Sequence, residues 1–165
     1  MSAGIRPPLL ELGGEEAFKA YEKEFGRLYQ NRRVYDILGN MVIFPPSSCW
    51  HVCFKRDEND RSAKRPRNIW GQERADRIPW IMSALNDPAT EIRPDKTITN
   101  RLNYLLIVEA DPERNLPQEY YCVVVEKERI GVVAFVTAFP VDQRNWVKRR
   151  QSGKALYPIN KKDGA

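Results

Sequence analysis

The sequence predicts an α+β domain, with N-terminal helices followed by an antiparallel sheet. Three observations carry this reading. "GEEAFKAYEKEFGRLYQN" places Phe18, Tyr21, Phe25 and Leu28 at helical spacing, the pattern of an amphipathic helix. "IWGQERADRIPWIMSALNDP" sets Trp70, Ile78, Ile81 and Leu85 on a second stripe. The C-terminal half then changes period. "RLNYLLIVEA", "EYYCVVVEKE" and "RIGVVAFVTAF" are runs of β-branched and aromatic residues, which suit strands.

In chain order, residues 15–31 form the first helix. "NMVIF", after Gly39, and "CWHVCF", after the Pro45-Pro46-Ser47-Ser48 break, read as two short strands. On a strand, Cys49, His51 and Cys53 would share one face and Trp50, Val52 and Phe54 the other. The basic stretch "KRDENDRSAKRPR" contains Pro66 and is expected to be a loop. Asp76 fits the N-cap of the next helix, putting Pro79 in its first turn, where proline is tolerated. Asn86-Asp87-Pro88 stops that helix. The last two strands meet at a charged corner around residues 127–129, and the longer polar link "DPERNLPQ" joins the first pair. Short links of this kind imply an antiparallel meander with helices covering one face. In the terminal strand, Val133, Phe135, Thr137 and Phe139 alternate with Val132, Ala134, Val136 and Ala138. The expected divisions are an N-terminal helix and extension (1–38), a main unit (39–160) and a tail (161–165), within a single compact domain.

A chain of 165 residues suits one domain with a real core. No apolar run has the length of a membrane span, and "MSAGIRPPLLELGGEE" lacks the pattern of a secretory signal. Three cysteines do not make a disulfide framework and read as reduced thiols. A cytoplasmic protein with no membrane partner is therefore expected. The net charge of +5 is concentrated in "KRDENDRSAKRPR" and "RNWVKRRQSGK". Such clusters serve either as solvated surface or as contacts to a polyanion.

His51 is the only histidine, flanked by Cys49 and Cys53. Neighbours on one strand face lie about 6–7 Å apart, and no second histidine is present to complete a tetrahedral set. No metal and no cofactor are expected, and no glycine-rich phosphate loop occurs.

"HVCF", the basic loop, the helix "ERADRIPWIMSALNDPATEI" and then "YYCVVVEKERIGVVAFVTAFPVD" form an ordered combination. It resembles the phage-associated branch of the barnase–EndoU–colicin–RelE superfamily of ribonucleases, over about residues 40–160. The resemblance implies a barnase-like ribonuclease fold and a metal-independent endoribonuclease acting on tRNA, rRNA or mRNA, as a toxin or phage-associated effector. It leaves room for an immunity or antitoxin protein as a second partner. By the same resemblance, His51 and Thr137 are the catalytic candidates.

Metal-free RNA cleavage moves the 2′-hydroxyl onto its own phosphate. It needs a base, an acid and donors for the phosphoryl oxygens. An imidazole suits either proton-transfer role near neutrality, and a single histidine excludes a two-histidine mechanism. The second proton carrier is open among Tyr104, Tyr120, Tyr121, Glu109, Glu126 or a lysine. Lys55 is the first choice for phosphate contact, because it would share the strand face of His51. Arg77 stands at a helix entrance, where its fork could hold a phosphate. Arg74 falls on the apolar stripe, so it lies either in a loop before the helix or in a polar cleft. Lys64, Arg65 and Arg67 complete the basic loop. The alternatives are a catalytically silent nucleic-acid-binding module on the same fold and a phage or mobile-element accessory protein.

Overall fold

In the computed structural model, which describes residues 3–57, 59–61, 66–151 and 153–158, the first apolar stripe becomes a continuous helical segment. It comprises a 3-10 turn (Glu15–Ala17), α1 (Phe18–Phe25) and a wider π-type turn (Gly26–Gln30). Tyr21, Phe25 and Tyr29 follow one another at four-residue spacing and are buried, because such positions fall on one face of a helix. Two short strands follow, β1 (Val34–Tyr35) and β2 (Met41–Ile43). The turn between them is held by the Asp36 carboxylate, which accepts from the amides of Leu38 and Asn40 and from the hydroxyl of Tyr104. Gly39 takes φ 84° there, a conformation costly for any residue with a Cβ.

The middle of the chain forms α2 (Ser48–Cys53), the hairpin of β3 (Phe54–Arg56) and β4 (Arg67–Trp70), α3 (Gln72–Asp76) and α4 (Trp80–Asn86). Then come β5 (Glu91–Pro94), β6 (Arg101–Val108), β7 (Glu119–Arg129), β8 (Val132–Val141) and α5 (Gln143–Arg150). Among the described residues the main sheet has six strands in the order β1-β2-β8-β7-β6-β5. The protein is thus α+β, with a mostly antiparallel sheet. The helical segment with α1, α2, α3 and α4 buries one face of the sheet against Tyr104, Tyr121, Val123, Val125 and Phe135. The opposite face has a smaller core, in which Trp146 of α5 meets Leu105, Ile107, Cys122 and Val124.

Several sequence expectations need correcting. The histidine segment is a helix, not a strand. Cys49, Val52 and Cys53 form one buried helical stripe, and alternation would have split them between two faces. His51 therefore does not share a face with both cysteines. The Cys49 and Cys53 sulfurs lie 3.8 Å apart across one helical turn. Asp76 is not an N-cap. It ends α3, and its carboxylate accepts from Tyr21, Gln72 and the Glu11 amide, while α4 begins after Pro79 without a side-chain cap. The sheet is not wholly antiparallel, because β2 runs parallel to β8. The alternation along β8 is also interrupted. Thr137 pairs with Val124 but Phe135 pairs with Val125, so Val136 is the extra residue of a β-bulge. Phe135 consequently joins the helix-covered core and Phe139 the opposite one. Among the described residues no helix is long and apolar enough to cross a membrane.

The first helix is part of the main core rather than an appendage, since Phe25 is 0% exposed and packs on Tyr29, Phe44 and Phe135. Phe25→Ala is expected to cost about 3–5 kcal/mol of unfolding free energy in urea titrations. A loss below about 1 kcal/mol would mean that the sheet's core closes without the helix.

Candidate functional site

The site begins where β8 changes its neighbour. β2 pairs with it only from Val132 to Ala134, and beyond that point α2 and α3 pack along β8. Backbone groups left at such an edge must find other partners. Here α2 supplies them. The Thr137 hydroxyl donates to the carbonyl of His51 at 2.9 Å, and the His51 imidazole bonds to the carbonyl of Val136, the bulge residue.

His51 is half-buried. Burial pushes its pKa below the ordinary value, and the nearby charges of Arg67 and Arg56 push it further down, against the opposing effect of the Val136 carbonyl. The imidazole is therefore neutral at pH 7. Arg67, the first residue of β4, reaches the His51 carbonyl with Nη1 at 3.4 Å. Its main chain is fastened to α2 by the Trp50 indole, which donates to the Arg67 carbonyl at 3.0 Å. Burial depresses the Arg67 guanidinium, and the charges of Arg56, Arg74 and Arg101 depress it further.

Arg74 extends from α3 over the ring of Phe139, 5.1 Å from its centroid. Its Nη1 is buried without a hydrogen-bond partner among the described residues. The Nε of Arg101, at the start of β6, is in the same situation. Arg149 of α5 approaches Phe139 from its own side, 5.0 Å from the centroid, and donates to Asn103 at 2.8 Å.

Elsewhere in the molecule several half-buried arginines have carboxylates. Arg6 and Arg77 share Glu119, both at 2.7 Å, and Arg93 and Arg150 share Glu91. Among the described residues, no carboxylate forms an ion pair with Arg56, Arg67, Arg74 or Arg101. Partly desolvated cations are costly unless paired, and burial depresses the guanidiniums of Arg67 and Arg74, whereas Arg56 is exposed.

Of the residues singled out from sequence, His51, Thr137, Arg67 and Arg74 come together. Two do not join them. Arg77 is committed to Glu119 and to the Glu73 carbonyl, and lies over Trp80. Lys55 is on β3 and pairs with Glu73 at 3.3 Å; the strand face it was expected to share with His51 does not exist. Lys64 and Arg65 lie outside the described residues. Among the candidate second proton carriers, Tyr104 and Tyr121 belong to the helix-covered core, and burial raises both phenols. Glu126 stands in register opposite Arg101. Arg56, Arg101 and Arg149 were not singled out from sequence. For Arg101 a signal exists, because Arg101 and Asn103 are polar at alternate positions of an otherwise apolar strand.

Cysteine chemistry has little support at the site. Cys49 is buried beside Cys53, which raises its pKa, and burial pushes the Cys122 thiol up to about 11, so neither offers a thiolate at neutral pH. Among the described residues no group of three His, Cys, Asp or Glu could hold a metal ion.

Fold and site together define an α+β domain in which, among the described residues, four arginines without a carboxylate ion pair lie near the single histidine. Comparisons with protein-family models, curated proteins and solved structures find no match to the chain.

The tie between α2 and β8 has a direct test. Thr137→Val keeps the β-branched shape but removes the hydroxyl that donates to the His51 carbonyl. Stability is expected to fall by roughly 1–3 kcal/mol, and Thr137→Ser should recover most of the loss. A valine variant as stable as wild type would show that the hydroxyl does not hold α2 in place.

Proposed function

We propose that this face binds RNA through its phosphates and cleaves it without a metal, as the resemblance to barnase-like ribonucleases suggests. One observation carries the reading: among the described residues Arg56, Arg67, Arg74 and Arg101 form no ion pair with a carboxylate, and the charges of Arg67 and Arg56 act on the histidine at the bulge of β8. A neutral imidazole suits the base, which takes the proton of the 2′-hydroxyl. The 2′-oxygen then bonds to phosphorus and the bond from phosphorus to the 5′-oxygen breaks. The products are a 2′,3′-cyclic phosphate and a 5′-hydroxyl, whose proton comes from a second group. That group stays open between Tyr120, Glu109, Glu126 and a lysine. Arg67 and Arg74 would hold the phosphoryl oxygens, where fixed donors stabilise developing charge. Thr137, its hydroxyl committed to the His51 carbonyl, acts by positioning α2.

That commitment also favours a second reading, a catalytically silent RNA-binding module, because it removes one donor that would otherwise meet the phosphate. Incubation with total RNA in EDTA, followed by end-group analysis, separates the two. The ribonuclease reading predicts 2′,3′-cyclic ends, with His51→Ala slower by at least about 10². Arg67→Gln should weaken RNA binding and flatten its salt dependence. RNA bound but left intact selects the silent module. Failure to bind RNA, with Arg67→Gln behaving as wild type, contradicts both.

A further inference from the structure

Beyond Phe139, β8, α5 and the 95–97 turn enclose a cleft of about 490 Å³, within the size range of small-molecule sites. It adjoins the arginine cluster directly, since Phe139 and Arg149 line it and Arg74 lies over the same Phe139 ring. Its walls differ in chemistry. Phe139 and Val141 provide a flat apolar side. Asp95 provides an acceptor: its Oδ1 takes one hydrogen bond among the described residues, from Asn103 at 3.2 Å, which leaves capacity for another donor. Burial works against the Asp95 charge. The Ile98 amide, Asn103 and the Thr97 amide and hydroxyl outweigh that effect and hold its pKa below the usual range. Lys96 and Lys148, both exposed, add positive charge along the lining.

A flat apolar wall, a fixed acceptor and cations beside an anion site match the parts of a nucleotide. We propose that this cleft takes the base of the nucleotide whose phosphate lies at the arginine cluster, and that Asp95 selects bases carrying an exocyclic amine. This rests on the RNA-binding reading above and deepens it. Cytosine presents such an amine. Uracil, otherwise nearly the same shape, presents a carbonyl there, and a carboxylate repels it. Sites that hydrogen-bond a substrate group reject analogues lacking it, and a charged hydrogen bond of this kind corresponds to roughly tenfold in affinity.

The probes are inorganic phosphate, 3′-CMP and 3′-UMP, titrated calorimetrically into wild type, Asn145→Trp and Asp95→Asn. Asn145 is exposed on the cleft wall, so tryptophan there would fill the cleft without entering the arginine cluster. The expected result is 3′-CMP bound at least about tenfold more tightly than phosphate and roughly tenfold more tightly than 3′-UMP. Asn145→Trp should abolish the advantage over phosphate, and Asp95→Asn the preference over 3′-UMP. Phosphate affinity should be unchanged in both variants, which also reports that they fold. Equal affinities for 3′-CMP and phosphate, or an advantage that survives Asn145→Trp, overturn the cleft as a base site while leaving the anion site intact. Equal affinities for 3′-CMP and 3′-UMP overturn the role of Asp95. Absence of phosphate binding in wild type overturns the anion site and the cleft together.

Discussion

The constraint on which the site depends is the shortness of β2. A parallel neighbour that pairs with β8 over only Val132 to Ala134 leaves the rest of that strand without a sheet partner on one side. Exposed ladder groups invite pairing with another chain, and covering them with a helix is one solution. Here the covering helix is α2, and the residues that meet the edge are His51 and, through its carbonyl, Thr137. The bulge at Val136 supplies the carbonyl that the imidazole meets. A longer β2 would have occupied the same ground and left no place for the histidine.

That arrangement also sets the electrostatics. The β3–β4 hairpin brings Arg56 and Arg67 toward α2, α3 adds Arg74, and β6 brings Arg101. Burial depresses the guanidinium of Arg67 and the charges of Arg56, Arg74 and Arg101 depress it further, and burial followed by the charges of Arg67 and Arg56 lowers His51. Glu119 and Glu91 show that this fold places carboxylates between arginines elsewhere. Where these cations are partly buried, an ion pair missing among the described residues costs stability, and under the proposed function a bound anion would return it by mass action. The proposed RNA phosphate is such an anion.

Much of the fold was legible because its signals are local. The stripe Tyr21–Phe25 and the stop at Asn86-Asp87-Pro88 fixed helices, and three long β-branched runs fixed the meander. The segment 48–53 was not legible as a helix, since six residues are too few to separate a period of two from 3.6. The parallel pairing of β2 with β8 joins residues some 90 apart in sequence, beyond any periodicity argument. Nothing in "AFVTAF" marks Val136 as a bulge, so the face of Phe139 could not be assigned. Of the residues singled out from sequence, His51, Thr137, Arg67 and Arg74 lie together in the structure, whereas Arg77 and Lys55 are drawn elsewhere for a common reason. Their ion-pair partners, Glu119 and Glu73, are distant in sequence, and a charge looks free until its partner is found.

His51 sits in the positive field of Arg67 and Arg56, which an anion would neutralise, and the chain's single histidine makes this directly measurable. Its ring Hε1 resonance can be followed by NMR titration with and without saturating sulfate, whose charge is constant across the range. The expected result is a pKa below the ordinary 6.5 in the free protein, raised when sulfate binds because the anion favours the charged imidazole. Arg67→Gln should raise the free value and diminish the response to sulfate. A histidine that titrates at or above its ordinary value in the free protein, and does not respond to sulfate, would show that no such field acts on it.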